Sequence, residues 1–538
     1  MASRTRWTGR RLAAVAGAAA LVLVASQFGV PSASGQGSSA PFVDTGTITF
    51  AVTSDPAGLD PGVNIGQGPA MRAMVSMYEG LLRYEGTTTK LSPALAESWK
   101  VAPDGASIEL RLRPGVKFHD GTTLDADTVK QSIDRTKAMN RAGAFYLQAL
   151  KEVQVVNPAT VRLVGTRPSV FLLYGLPNVY ISGKAHLADP DRGAAFFQAN
   201  GNGTGPYKLG RWDRGQQVVL EKFDDYWGGW AGRHVSKVIE RIVPESGTQQ
   251  LLMERGDVHL GALGALGLTQ DPKQLASKPG LKLVVTPSLR MTVISLNSRK
   301  GPTKDVRVRR ALQLATDYEG MKRVYQGYGE IANYPLPKGF TDAYDPSGPP
   351  FKQDLAAAKK LLAEAGYPTG GFTLSLYYIE REEQARLAAL LLQQQLQKLG
   401  VTLKVEGKPF GTLIGLMADL ETAAHIQVLL TQSPRSADAG EILGTNYGSG
   451  NAGKQYNWGW YANPEVDRLL ADADRTFNDA ERARKQRAAA KIIMDDAASI
   501  WPVYPTLVEV MRDEVQGYTY NPLQGTAVFS FYPIWLKK

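Results

Sequence analysis

The chain of 538 residues contains no cysteine. Disulfides, thiolate nucleophiles and cysteine metal sites are excluded, and so is an anchor built on a lipidated cysteine. Histidine is scarce: His119, His186, His234, His259 and His425 are the five, and no two lie four apart, so a zinc-protease helix is absent. No G-x-S-x-G elbow occurs. Gly448 to Gln455 nearly spells a phosphate loop, but Gln455 stands where serine or threonine must hold magnesium. The following Tyr456-Asn457-Trp458-Gly459-Trp460 is no helix opening. No enzyme, resident cofactor or metal is expected. The apolar run from Leu12 to Ala25 is short for a membrane span, and Ser26-Gln27 interrupt it before Pro31.

Residues 1 to 40 read as an export signal with a flexible lead-in. Arg4, Arg6, Arg10 and Arg11 precede the apolar run, and small residues near Ser34 and Ala40 suit cleavage. Arg10-Arg11 fits a twin-arginine signal, and a general secretory signal fits equally. The expected location is periplasmic or extracellular, without a lipid anchor. These four arginines belong to the formal charge of +10, so the remainder carries +6. That is mildly basic and no nucleic-acid footprint. Six basic residues between Arg299 and Arg310 read better as a solvated helix face than as a nucleic-acid patch. With 43% hydrophobic and 21% charged residues the chain is globular. Its length calls for two or more lobes.

Local patterning supports mixed α/β structure. Ile108, Leu110 and Leu112 alternate with Glu109, Arg111 and Arg113, the period of a strand with one buried face. Asp104-Gly105, Pro114-Gly115 and Asp120-Gly121 mark turns, and Asp125 can cap a helix with Val129 and Ile133 on one face. Thr47 to Val52 alternates as a strand. Met71 to Leu82 reads as a helix, and a hairpin crosses Asn157-Pro158. Leu281, Leu283 and Val285 form another strand. Asp354 caps a helix stopped by Gly366 and Pro368, a second runs from Leu387 to Leu399, and Asn463 caps a third. The last helix is expected to run to about Ser499. The glycines at 201, 203 and 205 read as a structural turn, and GALGALG from Gly261 to Gly267 as a small-residue loop.

Leu91-x-Pro93-x-Leu95-Ala96-Glu97-Ser98-Trp99, Asp104-Gly105 and Leu112-Arg113-x-Gly115-Val116-Lys117-Phe118-His119-Asp120-Gly121 closely resemble one family's signature. That family is the extracellular solute-binding proteins of oligopeptide, dipeptide and nickel ABC importers. Leu59-Asp60-Pro61, Tyr78-Glu79-Gly80-Leu81-Leu82, Gly203-Thr204-Gly205-Pro206-Tyr207 and Leu361 to Pro368 are similar to further phrases of it. Many relatives in single-membrane bacteria are lipoproteins, and this cysteine-free chain departs from them. The resemblance implies the large type II periplasmic-binding-protein fold, α/β in class, with two lobes and an extra subdomain in the first. Implied boundaries are 41–66, 201–289 and 507–538 for the first lobe's core, 67–200 for the subdomain and 290–506 for the second lobe. Crossings fall near Arg290 to Asn297 and Trp501 to Thr506. His119, in the family's "FHDG" turn, is structural in this reading.

The resemblance also implies a cleft. Its first-lobe loop brings Asn64, Ile65 and Gly66 toward the ligand, and Arg290 stands at the first crossing. In peptide-binding relatives, an aspartate in "W-x-x-D-x-x-D-P-x-x-F-L" pairs with the ligand's ammonium. Aligning Ile442-Leu443 with the closing pair puts Arg435 at that aspartate and Asp438 at the next acidic position. A guanidinium repels ammonium and suits carboxylate or phosphate. In the alternative register Asp438 takes the ammonium and Arg435 points to solvent. Trp458 and Trp460 either wall the pocket or pack in the core. The leading function is a monomeric, exported receptor that binds a small solute or short peptide, here peptide-like and of anionic character. It delivers that solute to ABC permease subunits. A signalling or chaperone-like peptide binder on the same fold is the alternative, and a secreted hydrolase lacks any constellation.

Overall fold

The strand Thr47–Val52 sits near the middle of a seven-stranded sheet, and a computed structural model shows what surrounds it. The structure describes residues 41–63, 70–184, 187, 195–261, 271–454, 456–523 and 528–538. In spatial order the sheet runs Tyr207–Asp213, Gln217–Lys222, Lys237–Ile242, Thr47–Val52, Leu260–Gly261, Leu507–Arg512 and Leu281–Thr286. Thr47–Val52 is parallel to both neighbours, so its inner residues are apolar on both faces. Ile48, Phe50, Ala51 and Val52 are all buried.

A four-stranded antiparallel sheet follows the order Ala96–Val101, Ser107–Leu112, Thr160–Gly165, Leu150–Asn157. The alternation read from sequence holds: Ile108, Leu110 and Leu112 point into its core. The helix Ala126–Met139 covers that core, and the Asp125 carboxylate accepts the Thr128 amide at 2.7 Å. This layer is fixed to the seven-stranded one by buried polar contacts. Arg135 grips Asp60 with two bonds of 2.9 and 2.7 Å. His119 contacts the Gly205 carbonyl at 3.0 Å and accepts the Gly203 amide at 3.3 Å, and burial pushes its pKa down to about 4. The turn at Gly203 admits no side chain, because a Cβ there would lie 2.0 Å from the Met77 carbonyl oxygen.

The third layer has five strands, ordered Thr402–Lys408, Thr373–Ile379, Ile426–Gln432, Met291–Leu296 and Ser499–Ile500. Helices Val306–Ala315, Leu355–Glu364 and Glu383–Gln397 pack on it. Asp354 accepts the Ala357 amide and Asn463 caps Pro464–Asp474, as the spacing predicts. The chain enters this layer through residues 287–290 and leaves it through residues 501–506. Ser288 donates to the Pro505 carbonyl at 2.5 Å, tying the two crossings together.

Four expectations need correction. The helix expected from Met71 to Leu82 spans Ala70–Met77, because Glu79 and Gly80 pair as a short strand with Tyr180–Ile181. The helix expected from Leu387 begins earlier, at Glu383, and ends at Gln397. The last long helix is Asp479–Asp495, and Ser499–Ile500 is already a strand. The basic run near Arg299 is not simply solvated. Lys300 donates to the carbonyls of Leu420, Glu421 and Ala423, and Arg309 to those of Thr303, Lys304 and Asp496. Most of Gly261 to Gly267 lies outside the described residues.

Candidate functional site

The loop from Gln432 to Asp438 joins a central strand of the five-stranded sheet to the helix Ala439–Tyr447. Arg435, in its middle, reaches toward the four-stranded layer. Its guanidinium carbon lies 4.7 Å from the Phe145 ring centroid and 5.2 Å from that of Tyr456. Two aromatic rings therefore lie against one cation, an arrangement worth more as water is excluded. Among the described residues no carboxylate lies within ion-pair distance of it. Burial works against its charge, but Tyr456 and Glu441 outweigh that and raise its pKa.

Glu441 completes the floor. Its carboxylate accepts the Arg435 amide at 3.0 Å and the Thr445 hydroxyl at 3.2 Å, and burial lifts its pKa despite Arg435. Asn178 donates to the Arg435 carbonyl at 2.9 Å and to the Tyr84 hydroxyl at 3.4 Å. Tyr84, Tyr146 and Glu441 are near enough to influence one another's ionisation. The result is a seam where the four-stranded and five-stranded layers meet over an arginine, a carboxyl and several phenols.

Asp438 lies behind this seam. Its oxygens accept Gln486 at 3.0 Å each and pair with Arg482 at 3.0 Å, and it also caps the Ala439–Tyr447 helix through Gly440. Both oxygens are thus already committed. The carboxylate lines a cavity of about 520 Å³ with Trp99, Tyr174, Phe340, Phe477 and Arg482, again between the two layers. Trp458 is buried against Leu413 and Met417, and Trp460 donates to the Met417 carbonyl at 3.1 Å. Trp458 meets the seam through Tyr456, edge-on at 5.7 Å. Arg290 is buried at the first crossing, within electrostatic reach of Glu382 and Tyr520. Asn64 lies outside the described residues.

The structure brings Arg435 together with Phe145, Tyr146, Glu441 and Tyr456, and leaves Asp438 and Trp460 elsewhere. Sequence reasoning missed those four partners. Glu441 carried a signal: it stands three residues after the cap Asp438, the spacing of a capping box. Its side chain turns back past the cap to the Arg435 amide. Phe145 and Tyr146 come from a turn nearly three hundred residues away and carried none.

The family model described as "Bacterial extracellular solute-binding proteins, family 5 Middle" matches residues 90–454. The chain is similar to the "Probable D,D-dipeptide-binding periplasmic protein DdpA" of Escherichia coli (strain K12). Identity is 30% over 489 residues, 88% of this chain and 92% of that protein. It is 28% identical over 499 residues to the "Glutathione-binding protein GsiB" of Pectobacterium atrosepticum, covering 90% of this chain and 92% of that one. Among solved structures it resembles the PBP AgaA from A.tumefacien R10 in complex with agropinic acid. The TM-score is 0.74 at 25% identity, over 92% of this chain and 99% of that one.

Proposed function

The chain belongs to the bacterial extracellular solute-binding proteins of family 5, and we propose that it is the exported receptor of an ABC importer. It captures a peptide or peptide-like solute with an anionic group and delivers it to permease subunits in the membrane. The relatives named for dipeptide and glutathione support the peptide-like class. The observation that carries the anionic character is Arg435, held between Phe145 and Tyr456 without a described ion-pair partner. A planar guanidinium so fixed has little further freedom to lose on binding a carboxylate. Asp438 is a poor receptor for a ligand's ammonium, because Arg482 and Gln486 already occupy it.

In this reading the seven-stranded and four-stranded layers form the first lobe, with residues 67–200 as its subdomain. Residues 290–506 form the second lobe. Arg290 sits at the crossing between them, and Trp458 backs the cleft through Tyr456. No described helix is long and apolar enough to cross a membrane.

The test is calorimetry on protein purified from the extracytoplasmic fraction of its native host, with free peptides, N-acetylated peptides and glutathione. Acetylation should be tolerated. Arg435→Ala should weaken binding by about a hundredfold, the loss of a charge-assisted bidentate contact. Recovery of only unprocessed protein from the cytosol contradicts export. Tight binding of free peptides that acetylation abolishes and Arg435→Ala leaves unchanged contradicts the anionic site.

A further inference from the structure

Away from the Arg435 seam, the five-stranded body touches the four-stranded layer at a second place. Asp474 ends the helix Pro464–Asp474. Its carboxylate pairs with Arg167, accepts the Ser169 hydroxyl at 3.1 Å on both oxygens, and accepts the Phe171 amide at 2.9 Å. All three partners precede or open the short helix Val170–Gly175 of the other layer. Three residues on, Phe477 packs against the four-stranded layer's core. It lies so close to Gly105 that a Cβ there would meet its ring at 2.8 Å. Arg482 adds a bond of 3.3 Å to the Tyr174 hydroxyl, with its guanidinium 5.2 Å from that ring's centroid.

These contacts differ from the ones fixing the four-stranded layer to the seven-stranded sheet. The Asp60–Arg135 pair is nearly inaccessible to water, whereas Arg167 is 46% exposed and Asp474 20%. The first is buried and lies within one body. The second is partly open to water and lies between bodies joined covalently only through residues 287–290 and 501–506. A rotation about those crossings that parts the Arg435 seam must also pull Asp474 from Arg167 and Phe477 from its socket.

We infer that Asp474 and Phe477 form a catch that holds the two bodies closed independently of any solute. Closure is then not stabilised by ligand alone: part of the closed population exists beforehand, and the solute adds its differential affinity to that bias. The catch lies among residues 474–477, and Arg435, the residue assigned to the solute, takes no part in it. Variation at Asp474 or Arg167, neither of which lines the cavity between the layers, therefore changes how long a solute stays without changing which solute is chosen.

The absence of cysteine makes the experiment direct, since introduced thiols are the only ones in the chain. Spin labels on Val156→Cys and Ile414→Cys, both exposed and one on each body, report the distance between bodies in the ligand-free protein. The expected result is a short-distance population that shrinks by about tenfold relative to the open one in Asp474→Ala, a coupling of ordinary size. Arg167→Ala, made from the opposite and exposed side, should shift the distribution the same way. Asp474→Asn, which keeps acceptors for Ser169 and Phe171, should fall between. A cooperative melt in each variant shows that it is folded. A wild-type distribution that is entirely open, or one unchanged in both Asp474→Ala and Arg167→Ala, overturns the catch.

Discussion

Arg72 stands on the helix Ala70–Met77 with its guanidinium 4.4 Å from the Phe50 centroid, between Glu240 and Glu509 on strands of the sheet below. Among the described residues neither oxygen of Glu240 has a hydrogen-bond partner. Burial pushes Glu240 up to about 8 and Glu509 up to about 7, with Arg72 opposing both shifts. A carboxyl whose folded pKa is raised holds its proton more tightly when folded. It therefore adds stability that is complete below pH 4.5 and lost as pH rises through 7 and 8. Stability, and with it the thermal midpoint, should fall between pH 5 and pH 8.5 by several kcal/mol, on the order of 5. Glu240→Gln should flatten the upper part of that fall; an identical slope in the variant would show that Glu240 does not titrate there. Residue-scale legibility was uneven for a related reason. The spacing to Ile442-Leu443 pointed to Arg435 and Asp438 alike, but the commitment of Asp438 could not be read there, because its partners Arg482 and Gln486 lie on a later helix.

Elements were legible where their signals are local. Asp125, Asp354 and Asn463 cap the helices that their spacing announced. Ends set by tertiary packing were not: the helix from Ala70 stops at Met77 because Glu79 is held by Thr204 and Trp227, each at 2.8 Å. The same contrast sets the size of two substitutions. Asp125→Ala should cost about 1 kcal/mol, the usual value of a cap. Gly203→Ala should cost more, about 3 kcal/mol, because its methyl is driven against the Met77 carbonyl and something must move. Urea midpoints of the two variants check the order, and a Gly203→Ala variant as stable as Asp125→Ala would mean that the turn yields easily.

At the scale of the whole molecule, the lobed arrangement was legible only through family resemblance, since no local pattern tells which strands share a sheet. The crossings at 287–290 and 501–506 lie side by side, so motion between the bodies is expected to be a hinge about them. Solution scattering should show a smaller radius of gyration at saturating solute, and an unchanged curve would remove closure from the account. The seven-stranded sheet has one further consequence, which concerns the order of events in time. Its strand Thr47–Val52 is followed across the sheet by Leu260–Gly261 and then by Leu507–Arg512, which pairs with Leu260–Gly261 and Leu281–Thr286 from more than two hundred residues further along the chain. Contacts so distant in sequence are slow to form, because the long loop must close before they repay it. The four-stranded layer, built from one continuous stretch, can assemble early, while the central sheet waits for residues that a ribosome makes last. Through that interval Phe50 lacks Phe529 and Phe531, whose rings meet it edge-on at 5.7 and 6.5 Å, and apolar surface of the kind chaperones recognise stays uncovered until the chain is almost complete.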